Sequence, residues 1–460
     1  MPHARITSLF AVVIGGFAMP TLAQEAPVET VARINRQISA ERLMSTINSL
    51  VGFGTRHTLS NTESDTRGIG AARRWVHDQF TSYGGRLEPA FDPHQAPPSR
   101  RIPDGAEVVN VIATLPGTMP EAKDRYYYIL GHLDSRASDA MDAESDAPGA
   151  NDDASGVAAL MELARVLANV PLDATIVFMA TTGEEQGLIG ARMHAEAARK
   201  ANRNIAGVLN NDMIGTPVGP RGETSHNTIR VYSEGLPLDA VNSDSDRMGR
   251  AMQTIRSISS ESDAPSRQLA RFVAEVAKQH SLVIQPTLIH RPDRFLRGGD
   301  HTGFNEQGFT AIRIVDMWEN YDHQHQDVRK EMVDGKEVQF GDLPEYVDAD
   351  YLANTTRLNA AILIHLANAP SVPGNPRIVT AELSYDTLVR WEPSPEPDVA
   401  GYEVVWRDTT SNSWDNVLDV GKATEAEIKA NKDMCFFGVR AYDIHGYRSP
   451  VGFATAARNE

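Results

Sequence analysis

The sequence is nearly free of cysteine and has no surplus of basic residues. Cys435 is the single cysteine among 460 residues, so no intramolecular disulfide can form and stability must come from packing. Lysine and arginine number 44 against 61 aspartate and glutamate residues, which gives a formal net charge of −17. This balance argues against a nucleic-acid or anionic-membrane partner, because no basic surplus exists to meet phosphate groups.

The N-terminal segment contains the features of a secretory signal peptide. An apolar run over residues 9–19 is followed by a small-residue site that ends at Ala23. The run is short and is interrupted by Gly15 and Gly16, which favours a cleaved signal (1–23) over a membrane anchor. We therefore expect an exported protein, periplasmic or secreted, without membrane insertion.

Between residues 24 and 371, strand and helix patterns alternate over a length that suits one large α/β unit. This alternation predicts an α/β fold with a mostly parallel central sheet flanked by helices. Ligands of such folds collect at the carboxyl ends of the strands. The predicted strands are 107–115, 125–132, 174–181, 205–212, 228–233, 282–288 and 309–316, and the predicted helices are 30–51, 66–83, 153–170, 185–200, 266–280 and 348–369.

The composition changes at about residue 372, where helical patterns stop and short alternating strands begin. Turn residues separate these strands at regular spacing, which predicts a C-terminal all-β sandwich over residues 372–460. The stretches VRWEPSPEPDVAGYEVVWR and FGVRAYDIHGYRSP resemble a fibronectin type III domain. The resemblance implies that Trp391 is the core tryptophan and that Tyr442 is the tyrosine late in the sandwich.

Polar residues follow several of the predicted strands at the point where each strand ends. One such residue alone has an ordinary explanation, such as a helix N-cap for an aspartate or a solvated first turn for a glutamate. Because all of them fall at one edge of one sheet, we interpret them together as a site. They are His132 and Asp134, Asp152 and Asp153, Glu184 and Glu185, Asp212, and His323, His325 and Asp327.

This mixture of imidazoles and carboxylates predicts a metal centre. Nitrogen and oxygen donors without thiolates suit Zn²⁺, and they also suit Co²⁺ or Mn²⁺. Two imidazoles and three carboxylates exceed the need of one tetrahedral ion, whereas two ions that share a bridging carboxylate would use all five. A hydrolytic centre of this kind also needs a base. The adjacent Glu184 and Glu185 can divide the tasks, because one can bind metal while the other carries the proton.

The motifs GHLDS, GANDDASG, TTGEEQGLIGA, NNDMIG, GGDHTGF and YDHQHQDV, in this order, resemble the secreted co-catalytic dizinc aminopeptidases of metallopeptidase family twenty-eight. The similarity spans about residues 35–369. It implies two Zn²⁺ per chain, peptide substrates with a free amino terminus, Glu184 as the general base and Asp134 as the partner that orients a ligand imidazole. A cis peptide bond after the bridging aspartate is also implied. The implied metal ligands are His132, Asp152 as the bridge, Glu185, Asp212 and His323.

The motif around the last histidine departs from the family pattern and leaves a choice of ligand. The family places the ligand four residues before an aspartate, which favours His323 over His325. Some family members have a tyrosine directly before this histidine, whereas here that position is Asp322, with Tyr321 one residue further back. The aspartate and histidine at 300–301 match a segment that lines the family's pocket, or they are a helix N-cap and its neighbour.

The resemblance implies hydrolysis of the amino-terminal peptide bond, with Glu184 passing the proton to the departing amine. A carboxypeptidase and a glutaminyl cyclase share this scaffold by resemblance, but the cyclases work with one zinc and the five candidate ligands favour two. A non-catalytic binding or receptor protein is a further alternative, against which Glu184, Glu185, Asp152 and the histidines argue. An adhesion protein that acts through the sandwich is another.

Overall fold

The computed structural model describes residues 26–381 and 384–457, which form an α/β unit followed by a β-sandwich. The predicted signal peptide (1–23) lies outside the described residues. Within these ranges, no helix combines the length and the apolar character that crossing a membrane requires. The predicted fold class is confirmed.

The α/β unit is built on one eight-stranded mixed sheet, in the order β1-β2-β4-β3-β5-β8-β6-β7. Its strands are β1 (Glu88–Ala96), β2 (Ala106–Leu115), β3 (Arg125–His132), β4 (Thr175–Thr181), β5 (Asn204–Asn211), β6 (Thr228–Ser233), β7 (Gln285–Ile289) and β8 (Ala311–Val315). The neighbours β4, β3, β5 and β8 are parallel. Antiparallel pairs join β1 to β2, β2 to β4 and β6 to β8. The four parallel strands therefore share one carboxyl edge.

Helices cover both faces of this sheet. Alternate residues of β3 show this, since Ile129 belongs to one apolar core and Leu130 to the other. The helices are α1 (Pro27–Asn35), α2 (Ala40–Val51), α3 (Gly68–Tyr83), α4 (Ala154–Leu167), α5 (Ile189–Lys200), α6 (Leu238–Val241), α7 (Ser245–Ile258), α8 (Pro265–Gln279), α9 (His301–Asn305) and α10 (Ala349–Asn368). The larger core contains residues of α1 to α4, α8 and α10, and the smaller one contains residues of α5 and α9.

The structure adds elements that the sequence patterns do not predict. Strand β1 is polar and largely exposed and contains Pro89 and Pro93, so it lacks the apolar signature of a strand. Helix α7 buries none of its residues, and therefore shows no stripe that faces a core. A two-stranded hairpin of β9 (Arg329–Val333) and β10 (Lys336–Phe340) follows β8. The predicted helix 185–200 begins at Ile189, which leaves Glu184 and Glu185 in the preceding loop.

The C-terminal module is a sandwich of two four-stranded sheets, ordered β15-β12-β11-β18 and β14-β13-β16-β17. Its strands are β11 (Gly374–Val379), β12 (Thr387–Glu392), β13 (Val399–Asp408), β14 (Asn416–Asp419), β15 (Glu425–Ile428), β16 (Cys435–Asp443), β17 (Gly452–Phe453) and β18 (Thr455–Ala457). Trp391 lies in the core, with its ring 5.8 Å from that of Tyr402. Tyr442 is half-buried, and its hydroxyl donates a hydrogen bond to the carboxylate of Asp419.

Buried ion pairs hold the sandwich against the α/β unit. Arg407 of β13 contacts both carboxylate oxygens of Asp263, at 2.9 and 2.7 Å, and both side chains are almost fully buried. Arg271 of α8 contacts the same carboxylate at 3.2 Å. At the start of β3, Arg125 pairs with Glu396 of the sandwich. The module is thus fixed to the amino edge of the sheet, because Arg125 is the first residue of β3.

We expect Arg407→Met to lower the free energy of unfolding by about 3 kcal/mol, because it removes one partner of a buried ion pair and leaves Asp263 with less compensation. Denaturant unfolding of the full chain measures this change. The matched control is Arg390→Met, since Arg390 forms an exposed pair with Glu425 on the same module and should contribute less than about 1 kcal/mol. Equal effects of the two substitutions would contradict the structural role of the buried cluster.

Candidate metal centre

The candidate residues meet at the carboxyl edge of the four parallel strands. His132 is the last residue of β3, Asp212 follows β5 directly, and Glu185 lies in the loop after β4. His325 lies in the loop after β8, and Asp152 lies just before α4. The first three and Asp152 are buried, and His325 is half-buried. Sequence segments far apart along the chain therefore supply one compact cluster.

The first group of possible metal ligands consists of His132, Asp152 and Asp212, whose donor atoms all lie within 4.8 Å of one another. The Nε2 atom of His132 is 2.9 Å from Oδ1 of Asp152 and 3.9 Å from Oδ1 of Asp212. The Nδ1 atom of the same imidazole contacts the backbone carbonyl of Asp134 at 2.9 Å. A carbonyl oxygen can only accept, so Nδ1 donates this bond and Nε2 is the nitrogen available to a metal ion.

The second group consists of Asp152, Glu185 and His325, again with all donor atoms within 4.8 Å. The Nε2 atom of His325 is 3.0 Å from Oδ2 of Asp152 and 3.0 Å from Oε1 of Glu185. Asp152 is common to both groups and offers a different oxygen to each, Oδ1 to His132 and Oδ2 to His325. This is the arrangement that a carboxylate bridging two ions requires.

Of the two histidines of the YDHQHQDV motif, the structure brings His325, and not the favoured His323, into the cluster. The ring of His323 stacks on Tyr346, with centroids 3.7 Å apart and an interplanar angle of 10°, and it is not part of either ligand group. His325 has a positive φ of 56°, and its side chain reaches Asp152 and Glu185. A turn and a stacking partner distant in the sequence decide this placement, and counting back from an aspartate cannot detect them.

Glu184 lines the cleft in front of the two groups, together with Asp152, Glu185 and His325. Burial raises the pKa of Glu184 well above its usual range, with a further rise from Asp212 and Glu185 and a partial offset from His132. Burial lowers the pKa of His325, but Glu185 and Asp152 outweigh it and raise that pKa to about 10. These directions follow from four carboxylates crowded around two imidazoles, a charge distribution that divalent cations would stabilise.

The side chain of Asp134 lies closer to the backbone of the glutamate loop than to His132, the imidazole that the resemblance implies it orients. Its carboxylate accepts hydrogen bonds from the backbone N–H groups of Gly183, Glu184 and Glu185, at 2.9, 3.2 and 3.0 Å. Its Oδ1 is 3.9 Å from Nδ1 of His132, which instead contacts the backbone carbonyl of Asp134 at 2.9 Å. The buried Asp134 side chain therefore positions the loop that carries the two glutamates, and its main chain orients the imidazole.

Asp153 connects three parts of the site. Its carboxylate accepts from the backbone N–H groups of His132 at 2.9 Å, Gly156 at 3.0 Å and Met213 at 3.1 Å. It is the N-cap of α4, so the helix-cap explanation holds for this aspartate. The peptide bond between Asp152 and Asp153 is cis, as the resemblance implies.

Three buried residues that sequence reasoning missed support the ligands. Asp342 accepts from the backbone N–H of Asp152 at 2.7 Å, and burial raises its pKa to about 6. Arg56 donates to the backbone carbonyls of Leu133, Pro148 and Gly149, which fixes the loop after β3. Arg313 contacts Oδ1 of Asp212 at 2.9 Å. Of these three residues, only Arg313 could have been noticed in the sequence, because it is a charged residue within the otherwise apolar strand β8.

The remaining predicted residues surround the cluster rather than join it. Asp300 precedes α9 and accepts a hydrogen bond from Thr181, and burial raises its pKa to about 7. His301 is buried, with Nε2 2.9 Å from the carbonyl of Pro292. Tyr321 is exposed, and its hydroxyl donates to Glu319. Asp327 accepts from the backbone N–H of Ser138, so it joins the acidic loop after β3 to the loop that carries His325.

A third group of possible ligands lies elsewhere, between β1 and α5. His94 Nε2 and His194 Nδ1 contact Oδ2 of Asp92 at 2.8 and 2.9 Å, and Asn110 donates to the same oxygen at 2.9 Å. Because the carboxylate oxygen already accepts from three groups, these contacts are those of a hydrogen-bond network that ties the edge strand to the helix. Nothing in this arrangement requires an ion.

The sequence model described as Peptidase family M28 matches residues 110–344, which contain every ligand candidate. The chain belongs to peptidase family M28. This M28 chain is 43% identical to a probable zinc metalloprotease of Leptosphaeria maculans, over 94% of this chain and 98% of that protein. It is also 43% identical to a probable zinc metalloprotease of Pyricularia oryzae, over 90% of this chain and 82% of that protein.

Solved structures share the fold of this M28 chain. The crystal structure of LapB from Legionella pneumophila superposes with a TM-score of 0.50 at 17% identity, covering 73% of this chain and 74% of LapB. The LapA aminopeptidase of Legionella pneumophila gives a TM-score of 0.50 at 16% identity, over 76% of this chain and 78% of that one. At this identity the likeness concerns the fold alone.

Proposed function

We propose that this M28 peptidase is a zinc-dependent aminopeptidase with two metal ions per chain. The observation that carries the proposal is the pair of ligand groups that share Asp152, with Glu184 in the same cleft. The relatives named probable zinc metalloproteases support zinc and peptide hydrolysis. The motif resemblance supports removal of the amino-terminal residue over the carboxypeptidase alternative, and two ligand groups favour a peptidase over a one-zinc glutaminyl cyclase.

The donor set fits Zn²⁺. Each group offers one imidazole, the shared carboxylate of Asp152 and one further carboxylate, so His132 and Asp212 would hold one ion while His325 and Glu185 hold the other. When bound, the ions would polarise the scissile carbonyl and lower the pKa of water in the cleft. Asp153, Asp134 and Asp342 hold the ligand-bearing backbone in place through the hydrogen bonds given above.

Glu184 acts as the general base and then as the general acid. Its carboxylate is adjacent to the ligand Glu185 in sequence but belongs to neither ligand group, so it is left to move a proton. It accepts the proton of the attacking water and delivers it to the amine of the departing peptide. The burial of the site limits competing bulk water and strengthens the electrostatic contacts of this carboxylate.

The export of the protein and the identity of the C-terminal module also belong to the proposal. The N-terminal segment is proposed to be a cleaved signal peptide, with the mature protein periplasmic or secreted. The sandwich, with its core Trp391, is proposed to be a fibronectin type III-like spacer or substrate-presenting module. Its contact with the amino edge of the sheet, through Arg125, keeps it away from the cleft.

The test is hydrolysis of a panel of aminoacyl-nitroanilides and their amino-acetylated counterparts, before and after chelation and zinc restoration. We expect cleavage only of the substrates with a free amine, loss of that activity with the chelator, and recovery with zinc. Elemental analysis should give about two zinc ions per chain, as a shared carboxylate predicts. No turnover on the whole panel by protein that holds zinc would reject the aminopeptidase and favour the carboxypeptidase.

A further inference from the structure

Four arginines from three different loops line the cleft in front of the two ligand groups. Arg101 lies between β1 and β2, Arg136 lies in the loop after β3, and Arg294 and Arg297 lie between β7 and α9. Peptide-bond hydrolysis by two ions and a glutamate does not itself require cationic side chains here. Arginine is well suited to bind a carboxylate, because its planar guanidinium donates two parallel N–H bonds to the two oxygens.

Two of the four arginines already have carboxylate partners in the protein. Arg294 contacts Asp293 at 3.0 Å and Glu319 at 3.0 Å, and its third nitrogen donates to the carbonyl of Gly298 at 3.2 Å. Arg297 shares the same Glu319 at 3.3 Å. These contacts hold the loop between β7 and α9, so the guanidinium of Arg294 is committed to that loop.

Arg101 and Arg136 are different, because their hydrogen bonds go to backbone carbonyls. Arg101 donates from Nη1 to the carbonyl of Glu185. Arg136 donates from Nε to Ala137 at 3.1 Å and from Nη2 to Ser138 at 2.9 Å. Within residues 26–381 and 384–457, neither forms an ion pair with a carboxylate. Both are half-buried, so solvent reaches each guanidinium, and each can exchange that water for the carboxylate of a ligand.

The charge of the cleft floor decides whether these arginines are available to a ligand. Asp152, Glu184, Glu185 and Asp212 place four negative charges there when ionised. Two divalent cations, as in the proposed function, would balance these four charges. The carboxylates of the cleft floor would then attract Arg101 and Arg136 less, which would leave the two guanidinium groups available to an anionic group of the substrate.

The size of the cleft limits the kind of substrate that can bring this anionic group to the arginines. Its volume is about 300 Å³, the lower end of the range for small-molecule sites. It therefore accepts the end of a short peptide and not a folded surface. The anion must belong to a residue next to the scissile bond, because the arginines and the catalytic carboxylates line the same space.

We propose that Arg101 and Arg136 bind a carboxylate of the substrate next to the scissile bond. This inference rests on the proposed function and names the substrate class of the same site. Three sources supply the same chemistry: an acidic side chain on the amino-terminal residue, an acidic side chain on the next residue, or the free α-carboxylate of that next residue. The last source would make the enzyme a dipeptidase or let it act at a carboxyl end.

Three matched pairs of peptides separate these sources. Glu-Leu-amide against Gln-Leu-amide tests the first side chain, Leu-Glu-amide against Leu-Gln-amide tests the second, and Leu-Leu against Leu-Leu-amide tests the free carboxylate. For each pair, kcat/KM is measured on the zinc-loaded wild-type enzyme. We expect the carboxylate member of one pair to be preferred by about tenfold or more, the size of a charge-assisted hydrogen bond.

Substitution of each arginine tests the assignment. Arg136→Gln and Arg101→Gln should each lower the preference ratio of that pair by about tenfold, because the neutral amide cannot balance the substrate charge. Arg136→Lys should keep part of the ratio, since it retains the charge without the planar fork. The matched control Arg390→Gln, which removes an exposed arginine of the sandwich, should leave the ratio unchanged.

Binding gives a readout that does not depend on turnover. Dissociation constants of the same pairs are measured by calorimetry on the zinc-loaded Glu184→Gln protein. Ratios near one for all three pairs, in binding and in hydrolysis, would overturn the proposal, and so would a ratio that neither arginine substitution changes. A binding preference lost in Arg136→Gln, with no hydrolysis of any peptide by the wild type, would reject the proposed function and keep the anion site.

Discussion

Replacing Glu184 by glutamine should lower kcat by about 10²- to 10⁴-fold while the zinc content stays at the wild-type level. The amide has the size of the carboxylate but cannot accept the proton of the attacking water. Zinc should be retained because Glu184 belongs to neither ligand group. Steady-state kinetics on the preferred substrate and elemental analysis of the same preparation measure the two quantities.

The matched control for this substitution is Glu196→Gln. Glu196 lies on α5, shortly after the same loop, and forms an exposed pair with Lys200. It should leave kcat within a factor of about two, since surface pairs of this kind contribute little. A Glu184→Gln enzyme within tenfold of wild type would reject the base assignment, and loss of zinc from it would make Glu184 a ligand.

If the chain holds the two proposed zinc ions, replacing His325 by alanine should lower the zinc content by about one ion per chain and reduce activity by more than about 100-fold. The expected loss exceeds that for residues that only orient a ligand, which is about 10- to 100-fold. The physical reason is that His325 contacts both Asp152 and Glu185 at 3.0 Å and supplies the only imidazole of the second group. Elemental analysis measures the number of zinc ions per chain, and the hydrolysis rate is the second readout.

His323→Ala is the matched control, because it removes the same side chain two residues earlier in the same loop. Its stacking on Tyr346 should contribute about 1 kcal/mol to stability, so this variant should melt slightly earlier and keep its zinc. If His323→Ala lost zinc while His325→Ala kept it, the ligand order favoured by the sequence would be restored and the loop geometry rejected.

The sequence predicts the sheet well where strands are buried on both faces. Strand β4 is buried at every position, and its bounds differ from the prediction by one residue. The polar strand β1 could not be found in this way, because it lies at the edge of the sheet and its side chains are mostly exposed. Helix α7 escaped detection for the same reason, since its residues face no core.

Some residues of the candidate site could also be predicted from the sequence, and others could not. His132, Asp152, Glu185 and Asp212 were accessible to sequence reasoning because each follows a strand or precedes a helix, and topology alone brings those positions together. His325 was a candidate, but the choice between it and His323 was not accessible, since the conformation of a long loop decides which imidazole reaches Asp152. Residues that act through long-range hydrogen bonds cannot be recognised from local sequence patterns. Asp342 is an example, because it accepts from the backbone N–H of Asp152 although the two residues are 190 positions apart in the sequence.

Strand β3 runs from the contact with the sandwich to the candidate metal centre. Its first residue, Arg125, binds the sandwich, and its last, His132, belongs to the candidate metal centre. The eight residues between these ends inclusive span about 23 Å at the usual rise of a strand. The sandwich is therefore the end by which the protein can be anchored to a resin or an electrode, because such a linkage would leave the mouth of the cleft open to diffusing peptides.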